Sequence, residues 1–463
     1  MVKRAISAVC FLSLAACSAL YAQQVDNDLY QARTGSGHVI TPHVSTEQAG
    51  DHGKRMHTNY KIFVPAAMSK AQYDSFAPLA TSTNPVPYYY AETPATLACL
   101  YGATTVTTGC NPLKLANSKH ATGGSKAIAI VDAYDYPTAL ADLKAYSTAF
   151  GLAAPTASTF TVVYATGTNP GADPNCSYYG GWDCWASEEA LDIQMAHAIA
   201  PSAHIYLVEA ASNSNADLYV AIKKAISLLT TSPNTGGEVS MSWGGSEFSS
   251  EASNDTKFSG KNVVFFASTG DSEGTIYPSV SPNVVAVGGT TITRSPSTLA
   301  FEQEITWESG GGGISEYEAK PSYQSSVSAL SSYKYRGVPD VAAVGNPNTG
   351  VWVYDSYETD SIGDDCLQDP TTGAGTNWCI FGGTSVAAPL TAALVNHAST
   401  VNKSFSASTA AEESLIYTNA SKAGTADYRD VTYGVCGYYD GWFAATGWDP
   451  CTGNGVPLGS AGK

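Results

Sequence analysis

From about residue 125 the chain alternates short apolar runs with longer stretches in which apolar residues recur every three or four positions. The runs at 127–132, 161–164, 204–209, 238–243, 262–268 and 284–288 read as strands. The stretches at 137–150, 187–200, 216–229 and 385–400 read as helices. Strands that are apolar throughout, rather than alternating, are covered on both faces. Interleaved with helices they predict an α/β domain built on a mostly parallel central sheet with helices on both faces. In such sheets chemistry gathers at the carboxyl ends of the strands. The sequence contains no internal repeat.

The first hundred residues follow a different pattern. Lys3 and Arg4 precede an apolar stretch at 5–16 and then small residues. This is the layout of a secretory signal, too short to span a bilayer, with cleavage expected after Ala22. Leu14-Ala15-Ala16-Cys17 also fits a lipoprotein signal, in which Cys17 would carry the lipid. Residues 23–95 are polar, lack cysteine and hold four of the eight histidines. They read as a propeptide or N-terminal extension, an ordinary part of the domain being the alternative. Residues 96–463 then form the main domain.

Composition narrows the partners. Forty acidic residues against 23 basic give a net charge of −17, which disfavours nucleic acid and anionic membrane. Only 14% of residues are charged, below the roughly 25% of an ordinary soluble domain. A surface of Tyr, Ser, Thr, Asn and Gly tolerates acid, where carboxylates lose their charge. Apart from Cys10 and Cys17, the cysteines fall into near neighbours: Cys99/Cys110, Cys176/Cys184, Cys366/Cys379 and Cys436/Cys451. For an exported chain these are expected as local disulfides.

The chemistry concentrates in Gly382-Gly383-Thr384-Ser385-Val386-Ala387-Ala388-Pro389. Ser385 falls where a loop turns into a helix, at the end whose unpaired N–H groups favour negative charge. The two glycines leave room for another backbone, and the alanines allow close packing beneath. A nucleophilic serine needs a base. His197 and His204 are the histidines nearest a plausible catalytic helix, and neither has a His-Gly-Thr context. The helix from 187 offers Glu188 and Asp192 instead, four residues apart and therefore on one face, with His197 facing away. Paired carboxylates repel, which divides them into a base and a proton-sharing partner. Asp271, in Ala267-Ser268-Thr269-Gly270-Asp271-Ser272-Glu273-Gly274, follows an apolar run and should sit at a strand's carboxyl end.

In this order and spacing the motifs resemble the sedolisin family, the serine-carboxyl peptidases, whose fold is subtilisin-like. The resemblance runs from about Ile128 to the C-terminus. It includes Ile128-Ala129-Ile130-Val131-Asp132-Ala133-Tyr134-Asp135, Ser242-Trp243-Gly244-Gly245-Ser246-Glu247, the stretch from Ser281 to Thr290, the glycine run within 309–316, and Val338-Pro339-Asp340-Val341. It implies Ser385 as nucleophile, Glu188 as general base and then acid, and Asp192 as its orienting partner. Asp271 becomes the protonated carboxyl that stabilises the oxyanion. Ser242, Trp243 and Gly244 resemble the strand that lines the substrate cleft, although Trp243 serves equally as core.

Near the C-terminus, Asp430-Val431-Thr432-Tyr433-Gly434 and Ala445-Thr446-Gly447-Trp448-Asp449 offer hard oxygen donors. The family pattern implies one Ca2+ held by Asp430, Asp449 and the carbonyls of Val431, Ala445 and Gly447, in a loop spanning 430–449. Ala445 stands where glycine is common. Two further departures are a prosegment shorter than the family's and an altered spacing after Asp271. The expectation is therefore a secreted, acid-active, monomeric endopeptidase acting on proteins or peptides, with its own N-terminal segment as inhibitor. A histidine-dependent subtilisin-like protease using His197 and a non-catalytic calcium-binding module are the rivals.

Overall fold

Seven consecutive residues from Ala127 to Ala133, Ala-Ile-Ala-Ile-Val-Asp-Ala, form a strand in which every side chain is buried. Such a strand needs cover on both faces, and the chain around it supplies that cover. The computed structural model describes residues 37–66, 84–86, 89–176, 183–231, 233–357, 367–369, 372–402, 404–420, 427–437 and 441–460. The expected signal at 1–22, with Cys17, lies outside these residues, as does Cys366.

The N-terminal segment contributes strands β1 (Gly37–Ile40), β2 (His57–Thr58) and β3 (Lys61–Pro65), followed by helix α1 (Pro94–Leu100). The α/β unit runs β4 (Ala127–Ala133), α2 (Ala139–Phe150), β5 (Phe160–Tyr164), α3 (Trp185–Ile199), β6 (His204–Ala210), α4 (Asn215–Thr230), β7 (Gly237–Met241), β8 (Trp243–Ser246) and β9 (Val263–Ser268). Then come β10 (Ile276–Tyr277), β11 (Val285–Arg294), β12 (Phe301–Thr306), β13 (Gly313–Ala319), β14 (Tyr335–Val338), β15 (Val341–Val344), β16 (Val351–Tyr354), β17 (Trp378–Gly382), α5 (Thr384–Asn402) and α6 (Thr409–Ala420).

The central sheet has the order β12-β11-β9-β7-β4-β6-β5, with β15 also paired to β11. All its pairings are parallel except β11 with β12. The expected strands and helices are all present. The α/β, subtilisin-like, mostly parallel architecture is the one anticipated. One expected strand, 238–243, is divided: β7 ends at Met241, the strand is interrupted at Ser242, and β8 leaves the central sheet to pair with β2 and β10. Local signals set the helix ends. Ser214 caps α4 by accepting from the Asp217 amide, and α2 stops at Gly151 in a left-handed conformation. Helices α3 and α5 pack against each other, and α5 lies on β7, β9, β11 and β15. All fifteen residues of α3 are buried, which is why its carboxylates never meet water.

The segment expected as an N-terminal extension threads into this architecture. Strand β3 pairs with β17 and β1 in a second sheet ordered β1-β3-β17-β16, while β2 pairs with β8. Disulfides join Cys99–Cys110, Cys176–Cys184 and Cys436–Cys451, as the spacing anticipated. Cys379 is disulfide-bonded too. No helix among the described residues is long and apolar enough to cross a membrane.

Candidate active site

Strand β17 delivers the chain to Gly383 at φ +108°, and α5 begins at the next residue. This approach has no space for side chains. A Cβ on Gly382 would lie 2.3 Å from the Pro347 backbone, and one on Gly383 would lie 2.1 Å from the Asn59 carbonyl oxygen. Ser385 therefore stands on the first turn of α5, fully buried. Four residues on, Pro389 has no N–H to give the Ser385 carbonyl, which turns instead toward the Ser242 hydroxyl at 3.3 Å. The Ser385 hydroxyl donates to Glu188 Oε2 at 2.9 Å and lies 3.1 Å from the Ser242 carbonyl.

Glu188 and Asp192 project from one face of α3, and the Ser242 hydroxyl donates to Asp192 Oδ1 at 2.8 Å. Glu188 Oε1 and Asp192 Oδ2 have no hydrogen-bond partner among the described residues, and the Asp192 charge acts on the buried Glu188 carboxyl. Two buried carboxyl groups that interact titrate as a pair, and ionising both at once is disfavoured. Burial raises the Glu188 carboxyl well above the ordinary range, and the neighbouring Asp192 and Asp132 charges push it further up. The Asp192 carboxyl is raised in the same way, first by burial and then by Asp132.

Asp132, near the carboxyl end of β4, belongs to this cluster but was not read as a site residue. Its signal was legible as the one charge in an otherwise apolar strand. Burial raises it from 3.8 to about 8. No histidine is hydrogen-bonded to the Ser385 hydroxyl among the described residues. His197 contacts the Ala153 carbonyl at 2.9 Å from the far side of α3, and burial lowers its pKa to about 4.

Asp271 follows β9 through Gly270 at φ +102°. Its Oδ1 accepts from the Thr384 amide at 2.7 Å and the Thr384 hydroxyl at 3.0 Å. Its Oδ2 has no partner among the described residues. Burial raises this carboxyl to about 7, against the opposing effects of the Lys61 charge and the two Thr384 bonds. Below that pH it carries a proton, and Oδ2 becomes a donor facing the space beside Gly383.

That space is filled by the chain itself. The Asn59 carbonyl accepts from the Ser385 amide at 3.0 Å. The Asn59 amide lies 3.2 Å from the Ser242 carbonyl and 3.2 Å from the Ser385 hydroxyl. Asn59 drew no attention in the sequence, because nothing local marks it and 326 residues separate it from Ser385. Upstream, His57 and Thr58 pair antiparallel with Gly244 and Trp243. Gly244 leaves room that a Cβ would take from Ile276, 2.4 Å away. The Trp243 side chain points into the core, fully buried, with its indole donating to the Val131 carbonyl at 2.6 Å. Its backbone thus faces the cleft while its ring packs in the domain. The adjoining cleft, about 930 Å³, is lined by His57, Lys61, Asp271, Glu273, Glu316 and Trp442 among others.

In the 430–449 loop, Asp430 Oδ2 accepts from the Gly447 amide at 3.0 Å. Asp449 accepts from the amides of Ala445, Cys451 and Thr452. The carbonyls of Val431, Ala445 and Gly447 accept no hydrogen bond among the described residues. Two carboxylates turned to one loop, with three free carbonyls, fit a hard cation with oxygen ligands. No cluster of three or more His, Cys, Asp or Glu residues suited to a metal occurs among the described residues, so any ion here depends on those carbonyls.

A serine mounted at a helix N-terminus above a parallel sheet, with carboxyl groups around it, is the architecture of the subtilisin-like serine peptidases. The chain belongs to the subtilase family (peptidase S8), whose model matches residues 163–436, and lies on the sedolisin branch. It is 32% identical over 371 residues to kumamolisin of Bacillus sp. (strain MN-32), a match spanning 73% of this chain and 59% of kumamolisin. It is 33% identical over 189 residues to sedolisin of Pseudomonas sp. (strain 101), covering 39% of this chain and 28% of sedolisin. The matches therefore span less than two thirds of the length of either relative. The solved Pseudomonas sedolisin complexed with pseudo-iodotyrostatin shares the fold, with a TM-score of 0.60 at 23% identity, covering 80% of this chain and 95% of that one.

Proposed function

We propose that this protein is an exported serine-carboxyl endopeptidase that hydrolyses proteins or peptides in acid through an acyl-enzyme on Ser385. The observation that carries the reading is the Ser385 hydroxyl donating to Glu188 at 2.9 Å, with the Asp271 carboxyl beside the same serine and no histidine in contact. Glu188 takes the serine proton as the hydroxyl attacks and returns it to the leaving amine. Asp192 keeps a proton in common with Glu188, so that the pair carries a single charge in its buried site. The Ser385 amide and protonated Asp271 receive the oxyanion. Asp271, raised to about 7, sets the alkaline limit, because its ionised form repels the oxyanion it must stabilise.

The disulfides support an extracytoplasmic location, free or anchored through Cys17. One Ca2+ bound by Asp430, Asp449 and the carbonyls of Val431, Ala445 and Gly447 would pin the C-terminal loop that Cys436–Cys451 already closes. Because Asn59 and the strands flanking it occupy the space at Ser385, the chain before processing is a zymogen whose N-terminal segment excludes substrate. The enzyme acts as a monomer.

Protein hydrolysis measured from pH 2 to 9 for the wild type, Ser385→Ala and Glu188→Gln tests the reading. Activity confined to acid and lost in both variants is expected. A maximum above neutrality, or activity retained by Ser385→Ala, would overturn it.

A further inference from the structure

We propose that the Asn59–Tyr60 peptide bond of the chain itself is the first bond this enzyme cuts, and that its S1 pocket is built for asparagine. The inference rests on the peptidase reading and adds to it a substrate sequence and a cleavage site.

The contacts of Asn59 with Ser385 and Ser242 are those that a residue on the acyl side of a scissile bond should make, and its amide also lies 3.3 Å from Glu188 Oε2. Its carbonyl oxygen sits where charge would develop, 3.0 Å from the Ser385 amide. A Cβ built on Gly383 would meet both that oxygen, at 2.1 Å, and Asp271 Oδ2, at 2.6 Å, so the two flank one small volume. Its amide nitrogen lies 3.2 Å from the attacking hydroxyl and 3.2 Å from the Ser242 carbonyl that anchors the strand. A segment that merely blocked the cleft would not need its carbonyl in the oxyanion position.

On both sides the chain binds as an added strand, the common way for a groove to hold an extended peptide. Upstream, β2 runs antiparallel to β8. Downstream, Lys61, Ile62 and Phe63 pair antiparallel with Gly382, Phe381 and Ile380 of β17. Tyr60, immediately past the bond, stacks on Phe381 with ring centroids 5.3 Å apart and planes within 8°. Its hydroxyl donates to the Cys184 carbonyl at 3.2 Å. The site thus provides an aromatic shelf for the leaving residue.

Specificity before the bond comes from Ser268. The Asn59 side-chain amide donates to the Ser268 hydroxyl at 2.7 Å, and both residues are essentially inaccessible to water. Ser268 ends β9, three residues before Asp271, so the strand that supplies the oxyanion carboxyl also floors the pocket. Leucine has the same branched heavy-atom skeleton as asparagine but is bulkier and has no polar atom, so in this pocket it would leave the Ser268 hydroxyl without the Asn59 donor.

The cleavage needs only water. The Ser385 oxygen bonds to the Asn59 carbonyl carbon while its proton passes to Glu188. The carbon–nitrogen bond to Tyr60 then breaks, and the Glu188 proton leaves on the new Tyr60 amine. Water next adds to the ester, giving its proton to Glu188. The Ser385–carbon bond breaks, the serine regains a proton, and Asn59 ends as a carboxylic acid. Because bond and nucleophile share one chain, the step is intramolecular.

The test brings the full-length chain to pH 4 and follows intact mass and N-terminal sequence with time. The expected product begins Tyr60-Lys61-Ile62, appears with a rate constant unchanged by hundredfold dilution, and is absent from Ser385→Ala. Asn59→Leu should slow the cut about 10- to 100-fold. Because that variant could fold poorly, the matured wild type is also given the peptide spanning residues 55–63 with either Asn or Leu at position 59. The Asn peptide should be cut between Asn and Tyr, with kcat/KM about 10- to 100-fold above the Leu peptide, and Ser268→Ala should narrow that gap. A first cut elsewhere, a rate that falls on dilution, or equal cutting of both peptides overturns the inference. An uncut chain that still hydrolyses acid-denatured protein also overturns it while leaving the peptidase reading intact. No hydrolysis of either defeats both.

Discussion

Asp355 offers a quantitative check on how this fold handles buried acid. It follows β16, fully enclosed, with Oδ2 accepting from the Ser187 hydroxyl at 2.7 Å and Oδ1 from the Tyr357 amide at 3.0 Å. Burial raises its carboxyl from 3.8 to about 7; the Asp142 charge adds to the rise, while the Ser187 and Tyr357 bonds oppose it. Below pH 4 the carboxyl is neutral in both folded and unfolded chains. As pH rises from 4 to 7 the unfolded chain releases its proton while the folded one retains it, so the fold loses stability throughout that window. A rise of roughly three pKa units corresponds to about 4 kcal/mol, fully lost by pH 8.

Asp355→Asn removes this dependence while preserving an acceptor for Tyr357. In a Ser385→Ala background, chosen to rule out the proposed self-cleavage, urea unfolding should give nearly equal stabilities at pH 3, within the ~1 kcal/mol of one hydrogen bond. At pH 8 the variant should be more stable by up to about 4 kcal/mol. No gain at pH 8, or the same gain at both pH values, would refute the reasoning. Asp132 and Glu209, both raised to about 8, act with the same sign. The whole protein should therefore be more stable at pH 4 than at pH 8.

A second prediction rests on the role proposed for Asp271: Asp271→Ala should lower kcat about 10²- to 10³-fold with little change in KM. Asp271→Asn keeps a donor that does not titrate, so it should retain more activity and shift the alkaline limit upward; identical pH profiles would refute this. For the proposed Ca2+ site, a chelator should release one ion per chain and lower the thermal midpoint, and Asp430→Ala should bind none; metal analysis and calorimetry check both. Trp243→Phe, which loses the bond to the Val131 carbonyl, should destabilise the fold by about 1–3 kcal/mol with kcat/KM unchanged. A large kcat/KM loss at unchanged stability would instead place the ring in substrate binding.

Much of the scaffold was legible because its signals are local. An apolar run such as 127–133 must be covered on both faces wherever it lies, which fixes a parallel sheet before any contact is known. The Glu188/Asp192 spacing puts both carboxylates on one helical face by geometry alone. Near-neighbour cysteines can scarcely avoid meeting. The 238–243 run misled by one feature: its apolar character continues past Ser242, but the chain changes sheet there, and only pairing with β2 and β10 reveals it.

The sequence by itself determined the parallel α/β scaffold, the helix-mounted serine and the pairing of Glu188 and Asp192 on one helical face, because periodicity and short-range spacing act through the chain's own backbone geometry. Only the tertiary structure decided which groups meet. Asn59 reaches Ser385 across 326 residues, Asp132 joins Glu188 through the register of β4 beside α3, and Ser268 meets the Asn59 side chain at the end of another strand. Such contacts leave no periodic trace, since each depends on strand order and register, which arise from the burial of many residues at once.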